Sequence, residues 1–238
     1  MGDAKKTVPD MAELQKLTGD PKKFLAAMKQ TISSISREFK PVDLMESFGY
    51  LNRAVGLLRK DSDRSFSLFE ESFSNWADDS QNTELVEEMQ FRVRQLIRTF
   101  FAEVEGTLYA ARRVILWANE RGELPLNTAE IAVLREETYK FNTRTREVES
   151  RSAFNTTKEA LLLVFTFLPR LTNPGFQPDL ANNGWEHFQK LLEVRHELTH
   201  PKEVVRLILD ADTIMKIMPS ARVWYYESLK QVVGYKGQ

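Results

Sequence analysis

Two of the chain's three histidines fall in one seven-residue stretch, Arg195-His196-Glu197-Leu198-Thr199-His200-Pro201, and the third, His187, lies just upstream. Two kinds of chemistry share these letters. His196, Glu197 and His200 spell H-E-x-x-H, in which two histidines one helical turn apart hold zinc and the glutamate activates water. Arg195, His196 and His200 also spell an arginine, a polar residue and a histidine five positions after the arginine, a set suited to cutting RNA without a metal. In that chemistry a guanidinium grips a phosphate through its bidentate fork, and imidazole moves a proton near neutral pH.

Pro201 bears on the choice. A proline disfavours α conformation in the residue before it, here His200, and interrupts a continuing helix. The acidic residues downstream, Glu203, Asp210, Asp212 and Glu227, form no second motif that would supply a third metal ligand. The arrangement expected instead is a helix ending near Val194 or Arg195 and another with Pro201 at its first position. Arg195, His196 and His200 would then surround a helix start whose free N–H groups and positive dipole end face an anion. No metal or cofactor is expected on that reading, and an H-E-x-x-H zinc peptidase is the lesser alternative.

The elements that must position these residues read as helices. Nine prolines punctuate the chain and leave everything from Val42 to Leu124 free of the strongest helix breaker. Short helices are expected from Asp10 to Leu17 and from Pro21 to about Phe39. A further one should run from Pro41 to about Arg59, followed by a polar break at Lys60–Arg64 and an amphipathic helix ending before the loop-like Asp78–Thr83. A helix from about Thr83 to Arg121 should be stopped by Gly122 and Pro125, and at 1.5 Å per residue it would span roughly 55 to 60 Å. Its apolar stripe runs through Val93, Leu96, Ile97, Phe100, Val104, Leu108 and Ile115, with Arg92, Arg94 and Arg98 read as solvated. A second long helix is expected from about Ala129 to Leu171, with a break near Ser152–Thr156 as an option. An extended loop should follow over Thr172–Gly184, then helices over Trp185–Val194 and Pro201–Ile217, and a last one opened by Pro219. No period-2 alternation or internal repeat stands out, so the expected fold is all-α: an antiparallel bundle of two long helices followed by three shorter ones, with an N-terminal helical extension over residues 1–80 and the bundle over 81–238.

With 238 residues the chain can bury a substantial core, and without cysteine it has no disulfide, thiolate metal site or cysteine nucleophile. The formal net charge of −1 provides no global basic field, so any nucleic acid would have to be gripped locally. Met1–Pro9 has two lysines with no apolar stretch behind them, and the longest apolar run, Ala160–Leu168, is far short of the ~20 residues that span a bilayer. A cytoplasmic protein with no membrane partner is the expectation.

On these residues the chain resembles the HEPN superfamily: Arg195-His196-x-x-x-His200, followed by proline, lies late in an all-helical chain, at the place where that family carries an arginine, a polar residue and a histidine. At the level of helix order the likeness covers about Thr83 to Val233. It implies a homodimer that brings two motifs into one cleft, and metal-independent endoribonuclease activity on RNA, often in toxin–antitoxin or phage-defence systems with an antitoxin or regulatory protein as partner. Carried over, Arg195 would hold the scissile phosphate, His200 would transfer the proton and His196 would fill the polar helper position. The first 80 residues would then be a dimer arm, a cover or a partner-binding extension. A catalytically silent nucleotide-binding or protein-interaction module of the same type is the alternative.

Glu105 and Thr199 are supporting candidates. Glu105 lies beside the apolar stripe of the long helix, where it either reaches water or pairs with Arg195 across the bundle. The remaining conspicuous side chains read as structural. His187 is expected at the surface or core edge, Trp185 and Phe188 in the core, and Trp224, Tyr225 and Tyr226 in ordinary packing. Arg144, Arg146 and Arg151, interleaved with Glu147 and Glu149, read as a solvated face.

Overall fold

Asp43 opens the first described helix by accepting a hydrogen bond from the Glu46 N–H at 2.8 Å, and the chain then stays helical from Leu44 to Asp78 (α1). The computed structural model describes residues 40–233, so the helices expected before Phe39 lie outside the described residues.

The polar segment Lys60–Arg64 does not interrupt α1, which corrects the expected break. None of these residues is a helix breaker, and Ser62 and Ser65 are buried on the same face as Leu51 and Phe69. Small side chains there let α1 lie close along α2, Thr83–Glu120, and a Cβ added to Gly106 of α2 would meet the Leu58 side chain at 2.6 Å. Asn82 caps α2, and Gly122, at φ +77°, follows its end, as expected. The buried residues of α2 surround most of its circumference, from Val93 and Phe100 to Val104, Ala111 and Ile115, because α1 covers one side and the later helices cover the other.

The expected second long helix does not form. Asn127 and Glu130 make a reciprocal capping box for a short helix, Thr128–Leu134 (α3), which ends before Glu136 at φ +56°. An antiparallel hairpin follows, β1 Glu137–Asn142 and β2 Glu147–Ser152, with Tyr139 opposite Ser150 and Phe141 opposite Val148. The Asn142 side chain accepts hydrogen bonds from the Arg144 and Thr145 N–H groups and closes the turn. A second capping box, Thr156 with Glu159, opens α4, Thr157–Phe167, and Pro169 starts the one-turn α5, Pro169–Thr172.

After the expected loop, Asn182 caps α6, Asn183–Thr199. Three corrections concern what comes next. Helix α6 runs through Arg195 and His196, and Pro201 opens no helix: a short 3₁₀ turn, Val204–Leu207, leads to α7, Ala211–Val232, which starts at its Asp210 cap and continues through Pro219. Helices α6 and α7 pack so closely that a Cβ on Gly184 would lie 2.5 Å from the Trp224 Cβ and 3.0 Å from the Ser220 carbonyl oxygen. Between them and α2 sits an aromatic core of Trp185, Phe188, Trp224, Tyr225, Phe100 and Phe101, in edge, tilted and stacked contacts. The architecture is all-α apart from the hairpin, with the two long helices packed together. Among the described residues no helix is long and apolar enough to cross a membrane.

Candidate functional site

Arg195 sits in the penultimate turn of α6 and reaches across to α2, where its Nη2 lies 2.6 Å from Glu105 Oε1. The same carboxylate oxygen accepts a hydrogen bond from Thr157 Oγ1 at 2.9 Å, so α2, α4 and α6 meet at the Glu105 carboxylate. Glu105 pairs with Arg195 and, being partly exposed, also reaches water. Both partners are only part buried, Arg195 at 26% and Glu105 at 39% exposure, so the pair positions the arginine more than it stabilises the fold.

These residues line a groove of about 790 Å³. Its floor is α2 with Glu105, Leu108 and Arg112. One wall is α6 with Gln189, Glu193, Arg195 and His196. The other is the root of the hairpin, with Glu136, and the first turn of α4, Asn155 to Lys158. Lys158 donates to Gln189 Oε1 at 2.7 Å and so bridges the two walls. Arg112 Nη1 lies 2.7 Å from Glu136 Oε1, placing a second arginine–glutamate pair in the groove, which no sequence signal had singled out.

His196 is exposed and borders the groove, whereas His200 does not line it. His200 is the C-cap of α6, at φ −132° and ψ 61°, with its N–H still donating to the His196 carbonyl at 3.0 Å. The proline effect on His200 is thus present as expected, while the helix itself ends about one turn later than expected. The two imidazole rings stand 5.3 Å apart, centroid to centroid. Thr199 Oγ1 donates back to the Arg195 carbonyl at 2.7 Å, with the His196 carbonyl at 3.2 Å, and helps close the last helical turn.

The expected anion-attracting helix start is absent from this place. Arg195, His196 and His200 lie at the C-terminal end of α6, where carbonyl groups and the negative dipole end project. Any phosphate held here must be held by side chains. Glu197 is committed to Arg206, whose Nη1 donates to it at 2.8 Å, and among the described residues no three His, Asp or Glu side chains come together as a metal would need.

The segment after the motif is pinned to α2. Gln90 Nε2 donates to the Leu209 carbonyl at 2.7 Å while its Oε1 accepts from the Leu209 N–H at 2.9 Å, and Arg94 Nη1 donates to the Leu207 carbonyl at 3.1 Å. Arg94, read from its spacing as solvated, has this structural task. The anchored segment leaves Val204, Val205 and Ile208 exposed, at 80%, 61% and 68%. Trp185, Phe188, Trp224 and Tyr225 are core, as expected. His187 faces Ser220 Oγ at the core edge.

Compared with family models, with curated proteins and with solved structures, the chain shows no match.

Proposed function

We propose that the chain is a metal-independent endoribonuclease of HEPN type that works in the cytoplasm as a homodimer. The observation that carries this reading is the groove in which Arg195, paired with a Glu105 that Thr157 also holds, stands beside His196. A guanidinium fixed at one edge and open at the other can take a scissile phosphodiester and offset the charge that builds on phosphorus. His200, one turn on, transfers the proton, and His196 orients the substrate or assists. The 2'-hydroxyl attacks phosphorus as its proton is removed, the 5'-oxygen leaves with a proton, and the products are a 2',3'-cyclic phosphate and a 5'-hydroxyl end.

Because His200 stands outside the groove of its own subunit, a second copy is the simplest source of a complete set. The exposed Val204, Val205 and Ile208, directly after the motif, offer apolar surface for that contact. An enzyme of this kind suits a toxin or phage-defence role, restrained by an antitoxin or regulatory protein. The ion pair on Arg195 favours a second reading, a catalytically silent nucleotide-binding or protein-interaction module in which Glu105 keeps the guanidinium occupied.

The test is cleavage of a mixed RNA by the full chain in the presence of EDTA, with analysis of the product ends. Cyclic phosphate ends are expected, and both Arg195→Ala and His200→Ala should abolish cutting. Cleavage indifferent to both substitutions would sink the enzymatic reading. RNA bound but left intact by the unaltered chain would favour the silent module.

A further inference from the structure

Arg112 is the least explained cation of the groove. Its side chain is only 13% exposed, and its buried Nε and Nη1 make no hydrogen bond among the described residues; the 2.7 Å approach of Nη1 to Glu136 Oε1 is a charge contact without hydrogen-bond alignment. Buried donors left unmade are costly, and a guanidinium has five of them in a fork that fits a phosphate. Arg112 also stands seven residues beyond Glu105 on α2, which puts the two on one face of the helix about 10 Å apart along its axis. Leu108, one turn from each, lines the groove between them.

We propose that Arg112 holds a second phosphodiester of a single-stranded RNA, beyond the one on Arg195, and that Glu136 occupies the guanidinium until the RNA displaces it. This rests on the reading of the groove as an RNA site. Glu136 suits such a role by its position. It follows α3 in the left-handed region at φ +56°, it stands at the root of the hairpin, and it is itself partly exposed at the groove edge. The two arginine–glutamate pairs then do different work. Glu105 also accepts from Thr157 and stays to orient Arg195, whereas among the described residues no further hydrogen bond holds the Glu136 carboxylate against displacement.

The purely structural role for Arg112 would be to tether Glu136 and with it the hairpin. The two roles give opposite signs for one substitution. If Arg112 is a phosphate ligand held back by Glu136, then Glu136→Gln frees it and RNA binds more tightly; if it is a tether, Glu136→Gln loosens the groove wall and RNA binds less tightly or no differently.

The experiment uses the full chain and a fluorescent oligoribonucleotide with 2'-O-methyl groups, which cannot be cut, followed by anisotropy over a range of salt. Arg112→Gln should weaken binding about tenfold and reduce the salt slope by about 0.7, the value for one phosphate contact on a single strand. Glu136→Gln should tighten binding, and the double variant should match Arg112→Gln alone, since the gain works through Arg112. An unchanged salt slope in Arg112→Gln, a Glu136→Gln variant that binds no more tightly, or a gain that persists in the double variant each overturns the proposal. Should Arg112→Gln fail to fold, the Glu136→Gln arm still decides. An intact enzyme whose cutting needs Arg195 but whose binding ignores Arg112 would sink this inference alone. Arg112-dependent binding by a chain that never cuts RNA would sink the enzymatic reading and leave this one standing.

Discussion

Glu105 Oε1 stands 2.6 Å from the Arg195 guanidinium and accepts, at the same oxygen, a hydrogen bond from the Thr157 hydroxyl. The arginine is thereby aimed from a second helix and a third. If its orientation matters to cleavage, Glu105→Gln should keep the Thr157 contact, loosen the aim of Arg195, and lower the cleavage rate on the order of 10- to 100-fold. Stability should fall by at most about 1 kcal/mol, because the pair is too exposed to contribute more. Urea titration alongside RNA cleavage separates the two effects.

The anchoring of residues 207–209 on α2 predicts a local effect. Gln90→Ala removes the partner of both the N–H and the carbonyl of Leu209 and should destabilise the chain by about 1 to 3 kcal/mol. In hydrogen exchange the Leu209 amide should lose protection while the α1–α2 core keeps it. Equal deprotection throughout would mean that the segment and the core open as one unit.

A buried carboxylate in the α1–α2–α7 core gives stability a pH dependence of known sign. Glu103 is fully buried, with Tyr226 donating to its Oε2 at 2.8 Å. Burial pushes its carboxyl above the ordinary value of 4.5, against the pull of the Tyr226 hydroxyl and of the nearby Arg222 and Arg59 charges. The folded chain therefore holds this proton more tightly than the unfolded chain. The associated stability is fully present below the ordinary carboxylate value and is lost as pH rises through the raised folded value. Urea midpoints measured from pH 4.5 upward should show Glu103→Gln gaining on the unaltered chain as pH increases; a constant difference would contradict the raised value.

Two glycines predict opposite outcomes for one substitution. Gly184→Ala places a methyl group 2.5 Å from the Trp224 Cβ and should destabilise by about 1 to 3 kcal/mol through overpacking. Gly56 lies inside α1 with no described residue within 4 Å of an added Cβ, so Gly56→Ala should stabilise by about 0.5 to 1 kcal/mol. Thermal unfolding of the two variants checks both signs.

Local chemistry of the chain was enough for much of the bundle. The proline-free run to Leu124 and the Gly122 stop define α2 almost to the residue, because a long amphipathic helix needs only a periodic stripe and the absence of breakers. The seven residues that spell the motif were equally visible, as was the withdrawal of His200 from α conformation before Pro201.

Other features exist only because distant segments meet. The hairpin has both faces largely exposed, so its strands carry no strict apolar alternation, and the run from Glu137 to Ser152 looks as polar as a solvated helix. Helix α1 crosses Lys60–Arg64 because Ser62 and Ser65 fit against α2, and α7 crosses Pro219 where Ile217, Met218 and Ala221 are buried. Glu105 and Thr157, 52 residues apart in sequence, meet Arg195 only through the packing of three helices, and Arg112 finds Glu136 only once the hairpin root folds onto α2. Short-range spacing encodes helix stripes and stops; the partners of a charged side chain are set by which faces the core presses together.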